Sequence, residues 1–238
     1  MKRNSVMIIA GMMLLLNACN GGEEKKDESK TADTTATVAA PVVAEPVFQP
    51  FKLVIIKHAV KDYAKWKAAY ASHDSTRQAY GISDYRLGRG LTDSNMVVVM
   101  DKIADVAKAK EFAASANLKD AMQKAGVKGK PSVSFVDVVW NDPVKSSQMD
   151  RVMIAHKVKD YDAWKKIFDA EGKTKRLDYG LVDRGLGRGI DDPNMVYIVF
   201  GIADMEKAKA RIASTELKTL MTDAGVEGAP ELFFYKIE

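Results

Sequence analysis

Along residues 51–139 the apolar positions fall into short unbroken runs alternating with stripes at helical spacing, and residues 152–238 repeat the same order. Residues 53–58 form a run rich in Val and Ile that predicts a first strand. Asp62 then precedes Tyr63, Trp66 and Tyr70, spaced i, i+3 and i+7. That is one face of a helix with Asp62 as its N-cap, running to about Tyr80 and stopping at Gly81. Residues 82–91 predict a second strand, residues 92–95 a turn, and residues 96–100 a third strand, so the two strands read as a hairpin. Asp105 caps a helical run through Val106, Ala109 and Phe112. Ser115 caps a further piece through Leu118 and Met122, which ends at Gly126. Residues 133–139 predict the last strand. The second stretch follows with 152–156, 160–179, 181–190, 195–200, 204–224 and 231–237.

Each stretch therefore reads β-α-β-β-α-β. That order predicts a ferredoxin-like α+β sandwich, both helices on one face of a four-stranded antiparallel sheet. A sheet covered on one side alternates apolar and polar residues. Residues 96–100 and 195–200 are instead apolar on both faces, so the second face also needs cover. The simplest cover is the other sheet. The wording repeats along with the pattern: His58-Ala-Val-Lys-Asp-Tyr-Ala-Lys-Trp66 is echoed by His156-Lys-Val-Lys-Asp-Tyr-Asp-Ala-Trp164. Arg86-Leu-Gly-Arg-Gly90 is echoed by Gly185-Leu-Gly-Arg-Gly189, and Ala125-Gly-Val-Lys-Gly-Lys-Pro131 by Ala224-Gly-Val-Glu-Gly-Ala-Pro230. The period is too long for a solenoid repeat. It predicts two similar domains, 51–140 and 152–238, joined by a linker at 141–151.

The N-terminal 50 residues follow neither pattern. Lys2 and Arg3 precede an apolar run over 6–16, the length of a signal-peptide core and too short to span a bilayer. Leu16-Asn17-Ala18-Cys19 resembles the lipobox of bacterial lipoproteins, in which the peptide is cleaved before a cysteine that is then lipidated. Residues 1–19 are thus expected to be a lipoprotein signal with Cys19 as the acylation site, placing the chain in a bacterial cell envelope, on the outer membrane. Cys19 is the only cysteine, so no disulfide forms within the chain. Residues 20–50 are acidic and then rich in Thr, Ala, Val and Pro, with too little apolar surface to offset ordering entropy. They predict a tether. The net charge of +4 comes without a basic run or interleaved aromatics, so nucleic acid is not an expected partner.

The His-x-Val-Lys-Asp-Tyr-x-x-Trp opening resembles the dimeric α/β-barrel superfamily, above all its antibiotic-biosynthesis-monooxygenase-like domains. So do the Asp-x-Asn hairpin, the Ala-Asp-x-x-Lys-Ala-Lys helix start and the Ala-Gly-Val-x-Gly-x-Pro lead into the last strand. The resemblance covers both repeats. It implies that the usual pairing of two chains is replaced by an intramolecular pseudo-dimer. The superfamily includes cofactor-independent monooxygenases, haem-handling enzymes and domains without known activity, so it implies a fold and leaves the reaction open.

His58 and His156, two of the three histidines, end the first strand of each repeat. By strand alternation they share a face with Val54 and Ile56, and with Val152 and Ile154. That face lies under the helices or in the barrel lumen. Rings pointing into a shared cavity would support a ligand site between the sheets, and burial under the helices would remove it. Tyr63, Trp66 and Tyr70, with Tyr161, Trp164 and Phe168, are stripes that pack a core or stack on a flat ligand. Arg89 and Arg188 hold an anion or are hairpin charges. The resulting ligand-binding candidates are His58, His156, Trp66, Trp164, Tyr70, Phe168, Arg89 and Arg188. His-x3-Asp lacks a third ligand, so no metal site is expected, and haem enters only through the resemblance. The expected function is binding of a small apolar or aromatic molecule, or of a partner, between the two sheets. The alternative is a cofactor-independent monooxygenase-like or haem-handling enzyme.

Overall fold

The computed structural model describes residues 48–142, 144 and 149–238. The expected signal, Cys19 and the tether through residue 47 lie outside the described residues, as do positions 143 and 145–148 of the expected linker.

The first repeat runs β1 (Phe51–Val60), α1 (Tyr63–Ser72), α2 (Asp74–Ala79), β2 (Ile82–Gly90), β3 (Met96–Ile103), α3 (Val106–Ala114), α4 (Ala116–Ala125) and β4 (Val127–Asn141). The second runs β5 (Asp150–Val158), α5 (Tyr161–Glu171), α6 (Lys173–Asp178), β6 (Leu181–Gly189), β7 (Met195–Ile202), α7 (Met205–Ala213), α8 (Thr215–Asp223) and β8 (Val226–Ile237). All eight strands close one antiparallel barrel in the order β1-β3-β2-β8-β5-β7-β6-β4. Each repeat supplies four neighbouring strands, and the two ferredoxin-like units meet at two seams.

The caps read from the sequence are the caps observed. Asp62, Asp105, Asp160 and Asp204 each accept from the backbone N–H three residues on, and Ser115 and Ser214 do the same for α4 and α8. The long first helix is broken in two, however, at His73 in one repeat and at Gly172 in the other. The last strands also begin earlier than the sequence suggests. Gly126, at φ +83°, caps α4, and β4 starts at the next residue. Lys57 pairs with Ser132 and Ala59 with Lys128, so residues 129–131 bulge out opposite His58. Gly129 takes φ +65° in that bulge, and Gly228 takes φ +71° in its twin. The Gly-x-Pro that reads as a loop is a bulge inside a strand.

The Leu-Gly-Arg-Gly segments form the seams. Gly88 to Gly90 pair with Ile237 to Tyr235 of β8, and Gly189 to Gly185 pair with Val136 to Asn141 of β4. A Cβ on Gly88 would sit 2.3 Å from the Tyr235 ring, and one on Gly187 would sit 2.4 Å from Val136 Cγ1. Glycine here lets large side chains of the other repeat enter the lumen.

Three apolar clusters result. Leu53, Ile55, Val98, Met100, Met153 and Tyr235 fill the lumen. The opposite faces, around Val54, Ile56 and Val99 and around Val152, Ile154 and Ile198, pack beneath the helices of their own repeats. Strands that are apolar on both sides are therefore buried on both sides.

Candidate functional site

The lumen leaves a gap of only about 60 Å³, too small for an aromatic molecule. His58 and His156 do not reach it. Each lies under its own helices, 5% exposed, edge-on to Trp66 at 5.4 Å and to Trp164 at 5.6 Å between ring centroids. The shared site between the sheets is thereby corrected: side chains fill the lumen, and the strand register turns both histidines away from it.

A larger cavity lies elsewhere. Between the sheet and the helices of the first repeat is a space of about 460 Å³, with His58, Trp66, Tyr70, His73, Arg77 and Asp101 among its walls. Exposed Asn117, Asp120 and Lys124 stand at its rim. One wall is an aromatic ladder: Trp66 stacks on Tyr70 with centroids 5.4 Å apart and planes 20° from parallel. The polar end begins at the Tyr70 hydroxyl, 2.8 Å from Asp84 Oδ1 and 2.9 Å from Asp101 Oδ1. The Arg77 guanidinium lies 3.8 Å over the Tyr70 ring centre and donates to Asp84 at 2.7 Å and to the Tyr70 carbonyl. Its Nε is 3.8 Å from Asp101 Oδ2, beyond hydrogen-bond distance.

Burial sets the protonation of these groups. Asp101 is 2% exposed, and desolvation lifts its pKa from the usual carboxylate range to about 7, against the lowering effects of Tyr70 and Arg77. Burial likewise raises the Tyr70 phenol. Desolvation lowers both His58 and His156 to about 4, so both rings are neutral at pH 7. Among the described residues, neither ring nitrogen of either histidine has a hydrogen-bond partner, and His73 Nδ1 is also unpartnered.

The corresponding space in the second repeat is only about 80 Å³. Ile167, Ile212 and Leu220 occupy the places of Ala69, Ala113 and Ala121. Phe168 and Phe200 replace Tyr70 and Asp101, and these two rings lie 6.5 Å apart. The arginine survives as Arg176, 4.1 Å over the Phe168 ring and held by both oxygens of Asp183 at 2.7 and 2.6 Å. His156 keeps the same bare nitrogens beneath a filled layer. Unpartnered imidazole is therefore common to both repeats, whereas the open volume beside it, the phenol and the buried carboxylate belong to the first. The second repeat opens instead beside Phe168 and Arg176, in a space of about 460 Å³ that Trp140, Tyr161, Lys165 and Lys173 also line and that no histidine reaches.

No protein-family model and no curated protein sequence matches the chain. Solved structures do. An anthrone oxidase-like protein superposes with a TM-score of 0.51 at 11% identity, over 79% of this chain and 91% of that one. A ferredoxin-fold protein from Listeria monocytogenes, described as related to antibiotic biosynthesis monooxygenases, gives 0.43 at 12% identity, over 80% and 96%. A monooxygenase-like protein from Listeria innocua gives 0.44 at 11% identity, over 80% and 96%. The chain has the dimeric α/β-barrel fold. At such identities the likeness concerns the fold alone.

The barrel brings His58, Trp66 and Tyr70 into the larger cavity and His156, Trp164 and Phe168 into the smaller one. Arg89 and Arg188 line neither. Arg89 donates to the Ser94 carbonyl at 2.9 Å and lies 3.8 Å over the Tyr63 ring; Arg188 does the same with Pro193 and Tyr161. They tie each hairpin to the start of a helix, which accounts for them without an anion. The turn residues Asp93 and Asp192 accept from the N–H of Asn95 and Asn194. Among the described residues no three His, Cys, Asp or Glu side chains gather as metal ligands.

The sequence reading passed over His73, Arg77 and Asp101. Asp101 follows an apolar run and continues the register of Val97 and Val99, which face the helices. A carboxylate in that register was the available signal. Its alignment with Phe200 was another.

Proposed function

We propose that this chain binds a small, mostly aromatic molecule in the cavity beneath the helices of its first repeat, with the second repeat completing the barrel. One observation carries the reading. Beside the buried histidine the two repeats differ in open volume, about 460 against 80 Å³, through alanines at 69, 113 and 121 that open one site and bulky residues that close the other. A space beside the histidine that costs packing contacts and is open in only one repeat points to a ligand. The test is a thermal-shift and native mass spectrometry screen of small aromatic molecules against the full chain and against a filled Ala69→Ile/Ala113→Ile/Ala121→Leu variant. Compounds that stabilise the native chain, with no response from the filled variant, are expected. Equal responses in both would overturn the reading.

A second reading, monooxygenase-like catalysis, has its own observation: a phenol, a carboxyl titrating near pH 7 and a neutral imidazole line one cavity. Oxygen uptake in the presence of an anthrone, lost in Tyr70→Phe, tests it. The N-terminal sequence further supports a chain held at the envelope membrane by lipid on Cys19. Replacing Cys19 with Ser is expected to move the protein from the membrane to the soluble fraction.

A further inference from the structure

We propose that the ligand of the first-repeat cavity is an amine, an aromatic or alkyl cation whose ammonium group meets the Asp101 carboxylate while its apolar part lies along Trp66 and Tyr70. The proposal rests on the cavity reading above and names the chemical class that the cavity takes.

Carboxylates outnumber cations at the polar end. Asp74, Asp84 and Asp101 surround one cation, Arg77. The two terminal nitrogens of Arg77 are taken up by Asp84, Asp74 and the Tyr70 carbonyl, and its buried Nε, 3.8 Å from Asp101, makes no hydrogen bond among the described residues. Asp101 has one hydrogen-bond neighbour, the neutral Tyr70 hydroxyl, whose single proton it shares with Asp84, and it faces the arginine only at 3.8 Å. The second repeat shows what the scaffold needs without it. There Arg176 is satisfied by Asp183 and Glu171, and the place of Asp101 is taken by Phe200. Asp101 is therefore an additional carboxylate, with a side chain 3% exposed and, among the described residues, no cation closer than the shared Arg77 at 3.8 Å. A buried carboxylate without a counter-charge is costly.

Two further features select the same class. His58 is 95% buried, lines the cavity and carries two unpartnered ring nitrogens. Neutral at pH 7, it presents one acceptor nitrogen and adds no positive charge. The Trp66–Tyr70 stack gives the apolar part of an aromatic amine a flat wall, and the Tyr70 ring already carries Arg77 at 3.8 Å, so the ammonium is directed to Asp101. A carboxylate ligand would meet, at the buried end, a guanidinium whose charge is already matched, and otherwise only the exposed Lys124 at the rim. A neutral ligand would leave Asp101 to hold a proton rather than form an ion pair.

Isothermal titration of the full chain with tryptamine, tryptophol and indole-3-acetate separates these cases, because the three share an indole and differ at the side-chain terminus. Tryptamine is expected to bind at least about tenfold more tightly than tryptophol, the factor expected of a charge-assisted contact. Indole-3-acetate is expected to bind weakest. Asp101→Asn, which preserves shape and hydrogen-bonding capacity, is expected to bring tryptamine and tryptophol within about threefold of each other. The filled variant is expected to lose all binding. Tryptophol or indole-3-acetate binding as tightly as tryptamine overturns the amine class and leaves the cavity reading standing. So does an unchanged preference in Asp101→Asn. Failure of all three compounds also overturns the amine class, while the cavity reading stands or falls on its own comparison with the filled variant.

Discussion

Three buried titratable side chains work against one another. His58 and His156 have folded-state pKa values near 4, below the ordinary imidazole value of 6.5. Their stabilising contribution is complete above 6.5 and is lost as pH falls toward 4. Asp101 has the opposite sign. Its folded-state pKa, about 7, exceeds the ordinary 3.8, so the folded protein holds a proton that the unfolded chain gives up. Its contribution declines as pH rises from about 4 to 7 and stays unfavourable above that, with a ceiling on the order of 4 kcal/mol. Asp101→Asn is therefore expected to stabilise the protein little at pH 4.5 and most at pH 8, and to steepen the loss between pH 6.5 and 4. Urea denaturation at pH 4.5, 6.5 and 8 measures it, and an equal gain at all three values would sink the account. Asp101 was hidden in the sequence because it ends an apolar run and looks like the first polar residue after a strand. Its meaning depends on what lies across from it.

Element boundaries were legible where local chemistry decides them. Asp and Ser caps, the i, i+3, i+7 stripe from Tyr63 to Tyr70 and the αL glycine at 126 all act within a few residues, and the structure follows them. What was not legible depends on pairing. Residues 127–132 read as a loop because Gly129 and Pro131 break strand rules, yet β1 holds them in a ladder with a bulge opposite His58. The Leu-Gly-Arg-Gly segments read as strand ends whose arginines hold an anion or are hairpin charges, because nothing local shows that their neighbours come from the other repeat. The seams give the element-scale prediction. Gly88→Ala drives a methyl into the Tyr235 ring and is expected to cost about 1–3 kcal/mol, as overpacking does. Pairing it with Tyr235→Leu should recover part of the loss, so a double-mutant cycle is expected to show coupling between the repeats. Strict additivity would mean that Gly88 is kept for another reason.

At the scale of the whole molecule, the fold was visible in the sequence and the cavity was not, because a cavity is made of small residues that leave no mark. Ala69, Ala113 and Ala121 are unremarkable helix residues until set against Ile167, Ile212 and Leu220. The filled variant is accordingly expected to be more stable than the native chain while losing its ligand, the usual relation between open sites and stability. Titration with a cavity ligand should give one molecule bound per chain, and a stoichiometry of two would assign equal competence to the second repeat. The covalent joining of two repeats has a consequence for how such a protein changes over time. In a barrel assembled from two identical chains, every substitution appears on both sides of the axis, so a change that improves one pocket alters its twin as well. Here each position is inherited once. One side can lose its pocket and keep the barrel closed, leaving the other free to vary its lining under much weaker constraint.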